Sequence, residues 1–210
     1  MSARVQKVVA SGQFSLDGGT WDVDNNVWLV GDDSEVVVID APHDADAILA
    51  AVDGRTVQAI VLTHGHNDHL NAAVELRDAT GAPIWFPSAD SMLWEAEHGT
   101  HVVPDRDLVD GTTFTVAGTT LRAIATPGHS PGSTCLYAED LGAVFSGDTL
   151  FQGGPGATGR SYSDFEVIVA SIRDRLLTLP DDTVVHTGPG ADTRLGDEAP
   201  PLQEWVDRGH

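Results

Sequence analysis

The run Val57-Gln58-Ala59-Ile60-Val61-Leu62 is short, β-branched and largely apolar, and it delivers the chain through Thr63 into His64-Gly65-His66-Asn67-Asp68-His69. Such a run reads as a buried strand, and 70–76 reads as the start of a helix. The polar cluster therefore occupies the loop between a strand end and a helix. In extended chain, residues two apart project to the same side, so His64 and His66 can chelate one ion. Asp68 and His69 fall where the helix opens, turned away from that pair and able to hold a second ion. Asp68 has another use available, as a capping acceptor at the positive end of the helix dipole. The three surrounding histidines favour a ligand over a cap.

Two later segments add donors of the same kind. Thr126-Pro127-Gly128-His129-Ser130-Pro131-Gly132 is a turn punctuated by proline and glycine that presents one histidine. Val144-Phe145-Ser146-Gly147-Asp148-Thr149 is a strand end that presents one aspartate. Both place a donor on a loop beyond a strand, where a rigid scaffold can aim it.

The rest of the chain alternates short strands with a few helices. Strands are expected over 5–16, 26–30, 36–40, 83–86, 112–116, 119–125, 134–137 and 143–146, and helices over 44–52, 89–97 and 165–179. Neighbouring strands look hairpin-linked, with 17–21 as one hairpin turn. The 210 residues suit a single domain, 1–210, with a substantial core. No apolar run approaches 18 residues and no export signal stands out, so a soluble, cytoplasmic protein is expected. The single cysteine, Cys135, reads as a core residue. The tryptophans read as packing residues apart from Trp21, in the early turn, and Gly153 to Gly159 as a flexible loop without a phosphate-cradle spacing.

Charge limits the partners. The formal net charge is −21, with Lys7 the only lysine and ten scattered arginines. Nucleic acid needs a basic stripe, which is missing, so neither nucleic acid nor membrane is expected as a partner. A small molecule remains. Arg160, with Tyr162 beside it, is the candidate for holding a substrate carboxylate against the repulsive field.

On these residues the chain resembles the metallo-β-lactamase superfamily, and within it the glyoxalase II-like (hydroxyacylglutathione hydrolase-like) short bacterial metallo-hydrolases. The resemblance runs over nearly the whole length, from the strand ending in Asp40, through His64 to His69 and Gly128-His129, to Gly147-Asp148-Thr149. It implies an α/β fold, a four-layer αβ/βα sandwich of two mixed sheets flanked by helices with the metals at one sheet edge. It implies that His64, His66 and His129 hold a first metal, that Asp68 and His69 hold a second, and that Asp148 bridges them. Zinc is the expected ion, one or two per chain, with Fe2+ or Mn2+ as alternatives.

One position departs from the family pattern. Where relatives carry a final Gly-His ligand, this chain has Val184-Val185-His186-Thr187-Gly188-Pro189-Gly190. Pro189 has no side-chain donor and no N–H. His186 is expected on or beside the strand, leaving Asp68, His69 and Asp148, with water, to hold a weakened second ion.

The implied activity is hydrolysis of a thioester of a low-molecular-weight thiol by hydroxide generated at the ion, with Asp68 orienting the nucleophile and accepting its proton. A thiolate of pKa about 8.5 leaves without a general acid, whereas an amide nitrogen needs protonation. The alternatives are a mononuclear-iron persulfide dioxygenase and a metal-poor, non-catalytic binding protein.

Overall fold

The computed structural model describes residues 2–209. The chain opens with a hairpin of two 13-residue strands, β1 (Arg4–Leu16) and β2 (Gly19–Gly31), joined at Asp17-Gly18. Both turn residues have positive φ, 53° and 77°, the backbone that matches the twist of the flanking strands. Strands β3 (Glu35–Ile39), β4 (Thr56–Val61), β5 (Ile84–Phe86) and β6 (Arg106–Asp107) complete a six-stranded sheet in sequence order. A second six-stranded sheet is built from β7 (Thr113–Val116), β8 (Thr119–Ala125), β9 (Thr134–Ala138), β10 (Ala143–Gly147), β13 (Val184–Thr187) and β14 (Thr193–Arg194). Between β10 and β13 a small ribbon pairs β11 (Leu150–Phe151) with β12 (Gly154–Pro155).

The period of two in the strands explains the layering. In β3, Val36 and Val38 join the cluster beneath the helices α1 (Ala45–Val52), α3 (Ala73–Thr80) and α4 (Ser91–His98), while Val37 and Ile39 face the second sheet. Ile60 and Leu62 likewise take the helix side, and Ala59 and Val61 the sheet side. In the second sheet, Ala123, Leu136 and Phe145 meet the first, while Ile124, Cys135 and Val144 pack under α5 (Phe165–Ser171) and its continuation Ile172–Leu176. A strand buried on both faces must be apolar at every position, hence the unbroken valine and isoleucine runs. The result is the expected helix–sheet–sheet–helix sandwich. Cys135 is buried in it, and burial pushes its thiol up to about 11.

Several elements differ from the sequence expectations. The first sheet is not all hairpins, since β3, β4, β5 and β6 run parallel, with α1, α3 and α4 in the crossovers. The helix expected over 70–76 is two pieces, α2 (Asn67–Leu70) and α3, because the chain turns at Asn71-Ala72 to leave the loop. The long helix over 165–179 is α-helical only to Ser171 and then widens into a π turn. Gly154-Pro155, expected in a flexible loop, is held in β12. No helix among the described residues is long and apolar enough to cross a membrane.

A candidate metal centre at the strand ends

Strands β3, β4, β8, β10 and β13 release their loops at the same end of the two sheets, and those loops carry the polar residues. β4 leads to His64, β8 to His129 and β10 to Asp148. Three imidazole donors converge first. His66 Nδ1 lies 3.1 Å from His64 Nε2 and 3.0 Å from His129 Nε2. All three residues are buried.

Proton accounting shows why those atoms suit a cation. Thr63 Oγ1 donates to Asp40 Oδ2 at 2.9 Å, so the 3.1 Å contact between Thr63 Oγ1 and His64 Nδ1 requires the imidazole to donate. His129 Nδ1 faces the carbonyl of Ala157 at 2.8 Å and must also donate. In the neutral form of either ring Nε2 is then a bare lone pair. His66 Nδ1, between them, carries at most one hydrogen and cannot satisfy both, so acceptors face one another unless a cation lies among them. Burial, reinforced by neighbouring imidazoles, keeps His64 well below the ordinary histidine value and takes His66 down to about 3, so neither of these two rings takes up a proton near neutrality.

The second group is His64, His69 and Asp148, whose donor atoms lie within 4.8 Å of one another. His69 Nδ1 is held 2.8 Å from Asp40 Oδ2, which turns Nε2 inward, 3.1 Å from Asp148 Oδ1 and 3.8 Å from Asp68 Oδ2. The contact with Asp148 lacks hydrogen-bond alignment and leaves Asp148 Oδ1 without a hydrogen-bonding partner among the described residues. Asp148 Oδ2 is 3.7 Å from His129 Nε2, so this one carboxylate faces both groups. Burial opposes its charge, but the adjacent His69 holds the carboxyl below the usual range. Asp68 goes the other way, raised chiefly by burial. It lies in the first turn of the four-residue α2, and its Oδ2 accepts from Asn25 Nδ2 at 3.0 Å.

The loops are locked from behind. Asp40, at φ 60°, accepts from Thr63 N and Thr63 Oγ1 as well as from His69, so the end of β3 orients both donor groups. Buried Asp90 ties the two histidine loops together, accepting from Gly65 N at 2.8 Å, Gly132 N at 2.6 Å and Ser130 Oγ at 2.6 Å. Neither Asp90 nor Asn25 stands out in the sequence. The backbone of Gly188 lies so close that a Cβ there would sit 2.3 Å from Asp148 Oδ1, which excludes any side chain at that position.

Asn67 is no ligand, for its carboxamide accepts from Ser15 N and donates to Gln13 O, stapling the β1–β2 hairpin over the site. That hairpin brings Phe14 to 5.1 Å from the His66 ring and Trp21, 39 % exposed, to 5.6 Å from Phe14. The Arg160 guanidinium stacks 4.0 Å above the Trp21 ring. Asp17 in the hairpin turn accepts from Ser161 N and Oγ, which fastens this wall together. Tyr162 is exposed, with φ 71°.

His186 lies in β13, hydrogen-bonded through Nδ1 to Asp192 Oδ2 at 2.9 Å and packed against the rings of Trp28 and Phe145. It joins neither donor group found among the described residues.

Comparison with known proteins agrees with this architecture. The profile of the metallo-beta-lactamase superfamily matches residues 20–188. Hydroxyacylglutathione hydrolase GloC of Haemophilus influenzae is 31% identical over 188 residues, 82% of this chain and 89% of its own. The probable metallo-hydrolase YqgX of Bacillus subtilis is 34% identical over 183 residues, 80% and 86% of the two chains. A crystal structure of TTHA1623 in a di-iron-bound form superposes with a TM-score of 0.75 at 33% identity, covering 84% of this chain and 93% of that one. The chain belongs to the metallo-beta-lactamase superfamily, as an enzyme with glyoxalase II-like relatives and a His/Asp metal site.

Proposed function

We propose that this protein is a zinc-dependent thioesterase that hydrolyses a thioester of a low-molecular-weight thiol. The observation that carries the proposal is the pair of donor groups facing one carboxylate, Asp148. His64, His66 and His129 would hold the first ion, and Asp68 and His69 the second, with Asp148 between them. Bound ions would supply Lewis acidity to the scissile carbonyl and lower the pKa of water towards about 7.

The protein's own residues set the rest. Asp68, buried and raised above the usual carboxylate range, is suited to orient the attacking water and accept its proton. The thiolate then departs unaided. Phe14 and Trp21 give the acyl group an apolar wall, and Arg160, which makes no side-chain hydrogen bond or ion pair among the described residues, has its donors free for a substrate carboxylate. Tyr162, exposed two residues further on, is the second candidate for substrate contact. The name of the Haemophilus relative supports a thioester substrate, and the acidic composition supports a small molecule over nucleic acid or a membrane surface.

The test is elemental analysis of protein purified without chelator, paired with rates on matched thioester, oxygen-ester and β-lactam substrates. Bound zinc with preferential thioester cleavage is the expected result. One iron per chain with oxygen uptake on a persulfide would replace the proposal with a dioxygenase, and absence of any bound metal would replace it with a binding protein.

A further inference from the structure

The second donor group has a neighbour that the ligand motifs do not include. Asn25 is fully buried near the middle of β2, and its Nδ2 lies 3.0 Å from Asp68 Oδ2 and 3.1 Å from His69 Nε2. Its Oδ1 is buried without a partner among the described residues. Asn25 also forms an antiparallel bridge with Pro189, the residue at the position where relatives of this kind place a final histidine. Paired residues of an antiparallel bridge project to the same side, so the carboxamide stands beside the proline ring and reaches over it towards the second group.

That crossing of β2 and the loop after β13 is rigid. Asn26 N donates to Gly188 O at 2.7 Å, Asn26 Nδ2 to Thr187 O and Gly190 O at 3.1 and 3.0 Å, and Trp28 Nε1 to Thr187 O at 2.9 Å. Gly188, against Asp148 and His69, leaves no room for another side chain.

We propose that Asn25 completes the second metal site, its carboxamide oxygen taking the ligand position that Pro189 leaves without a donor. The inference rests on the metal-centre reading above. Half a turn about χ2 exchanges Nδ2 and Oδ1, which are nearly isosteric. The oxygen then stands at the separations that the nitrogen has now, 3.0 and 3.1 Å from Asp68 Oδ2 and His69 Nε2. Ligand bonds of about 2.0–2.2 Å separate neighbouring donors in one coordination shell by roughly 3.0–3.5 Å. Oδ1 lacks a partner among the described residues where it stands now, so the inward end decides. Its nitrogen faces Asp68 Oδ2 and His69 Nε2, or its oxygen serves a cation bound between them.

The resulting donor set is one imidazole nitrogen with oxygens from Asp68, Asp148 and Asn25, harder than the three-nitrogen first group. Manganese and magnesium should therefore compete at the second site better than at the first.

The experiment is titration of the full chain with Mn2+ and with Zn2+, following bound ion by elemental analysis and Mn2+ by electron paramagnetic resonance. The wild type, Asn25→Ala, Asn25→Asp and the double variant Asn25→Ala/Pro189→His would be compared. Asn25→Ala should weaken the second ion at least tenfold and spare the first. Asn25→Asp, close to isosteric and now charged, should tighten it beyond wild type, which lost packing alone would not do, and the histidine of the double variant should restore what Asn25→Ala loses. A second ion bound by Asn25→Ala as tightly as by wild type, or more tightly, overturns the proposal by making the amide a plug that the ion displaces. Asn25→Asp no better than Asn25→Ala overturns it too. In either case an ion at the first group leaves the hydrolase reading standing, whereas no ion in any form overturns both.

Discussion

The three histidines His64, His66 and His129 on one side and Asp68 with His69 on the other face one carboxylate, Asp148, but are supported in different ways. Behind the first, His64 is fixed by Thr63 and His129 by the carbonyl of Ala157, and both loops are tied to Asp90. The donors are all imidazoles, and each nitrogen that faces the centre comes from a loop anchored at a strand end. Behind the second, His69 is fixed by Asp40, but Asp68 is held by Asn25 from a distant strand, and Pro189 brings no donor. One group is complete within its own loops, while the other depends on how β2 crosses the loop after β13. Two ions in this protein should therefore differ in affinity, in preferred metal and in response to mutation.

His66→Ala should break the comparison most severely. It removes the nitrogen that faces both other imidazoles, so the first ion should be lost at ordinary concentrations and thioester hydrolysis should fall by far more than the roughly ten- to hundredfold typical of changes behind the ligands. Bound metal per chain and initial rates check this, and retention of both would mean that the histidine group is structural.

Asp40→Asn comes next, because Asp40 backs both groups at once, through His69 directly and through Thr63 to His64. An asparagine oxygen still accepts, but the charge that strengthens the His69 contact is gone. Affinity at the second group should drop about ten- to a hundredfold and at the first by less. Equal losses at the two would mean that Asp40 holds the β3 end in place rather than orienting His69. Pro189→His sharpens the contrast from the opposite direction, since with Asn25 already in the ligand position an imidazole there should change affinity for the second ion by less than about tenfold and leave the first unchanged. A larger gain in the wild-type background would mean that the site lacks a ligand and that Asn25 does not fill it.

The unequal support also explains what could be read from the sequence. β8 lies where its alternation places it, at Thr119–Ala125, and the two-faced burial of β3 and of the end of β4 is written in the apolar runs Val36-Val37-Val38-Ile39 and Ala59-Ile60-Val61. β6 and β14, two residues each, exist only because a neighbouring strand pairs with them, and the outer half of β2, with Thr20, Asp22 and Asp24, is too polar to announce itself without β1 opposite. The ligand-type residues stand out because their donors come in dense local motifs. Asp90 and Asn25 do not, since their partners lie up to 44 positions away and neither residue type is unusual where it stands. The one available signal was Asn25-Asn26, two amides leading into the apolar run Val27-Trp28-Leu29-Val30, where burial of a polar side chain demands a partner.

The smallest expected effect tests the wall over the first group. Arg160 lies on the Trp21 ring, and Trp21 reaches His66 only through Phe14, so the guanidinium is positioned over the histidine group and not over Asp68. Its side chain is exposed, so water and salt weaken any ion pair that it makes with substrate to the scale of surface pairs. Arg160→Ala should therefore raise KM for a thioester with a carboxylate in its acyl group by about two- to fivefold, with little change in kcat and none in metal content. For a neutral acyl group KM should barely move. The carboxylate effect should fade as salt rises from low to physiological strength, because the pair is screened. If charged and neutral substrates lose equally, Arg160 acts by holding Trp21 and the hairpin in place, and the substrate carboxylate has to be sought elsewhere along the rim.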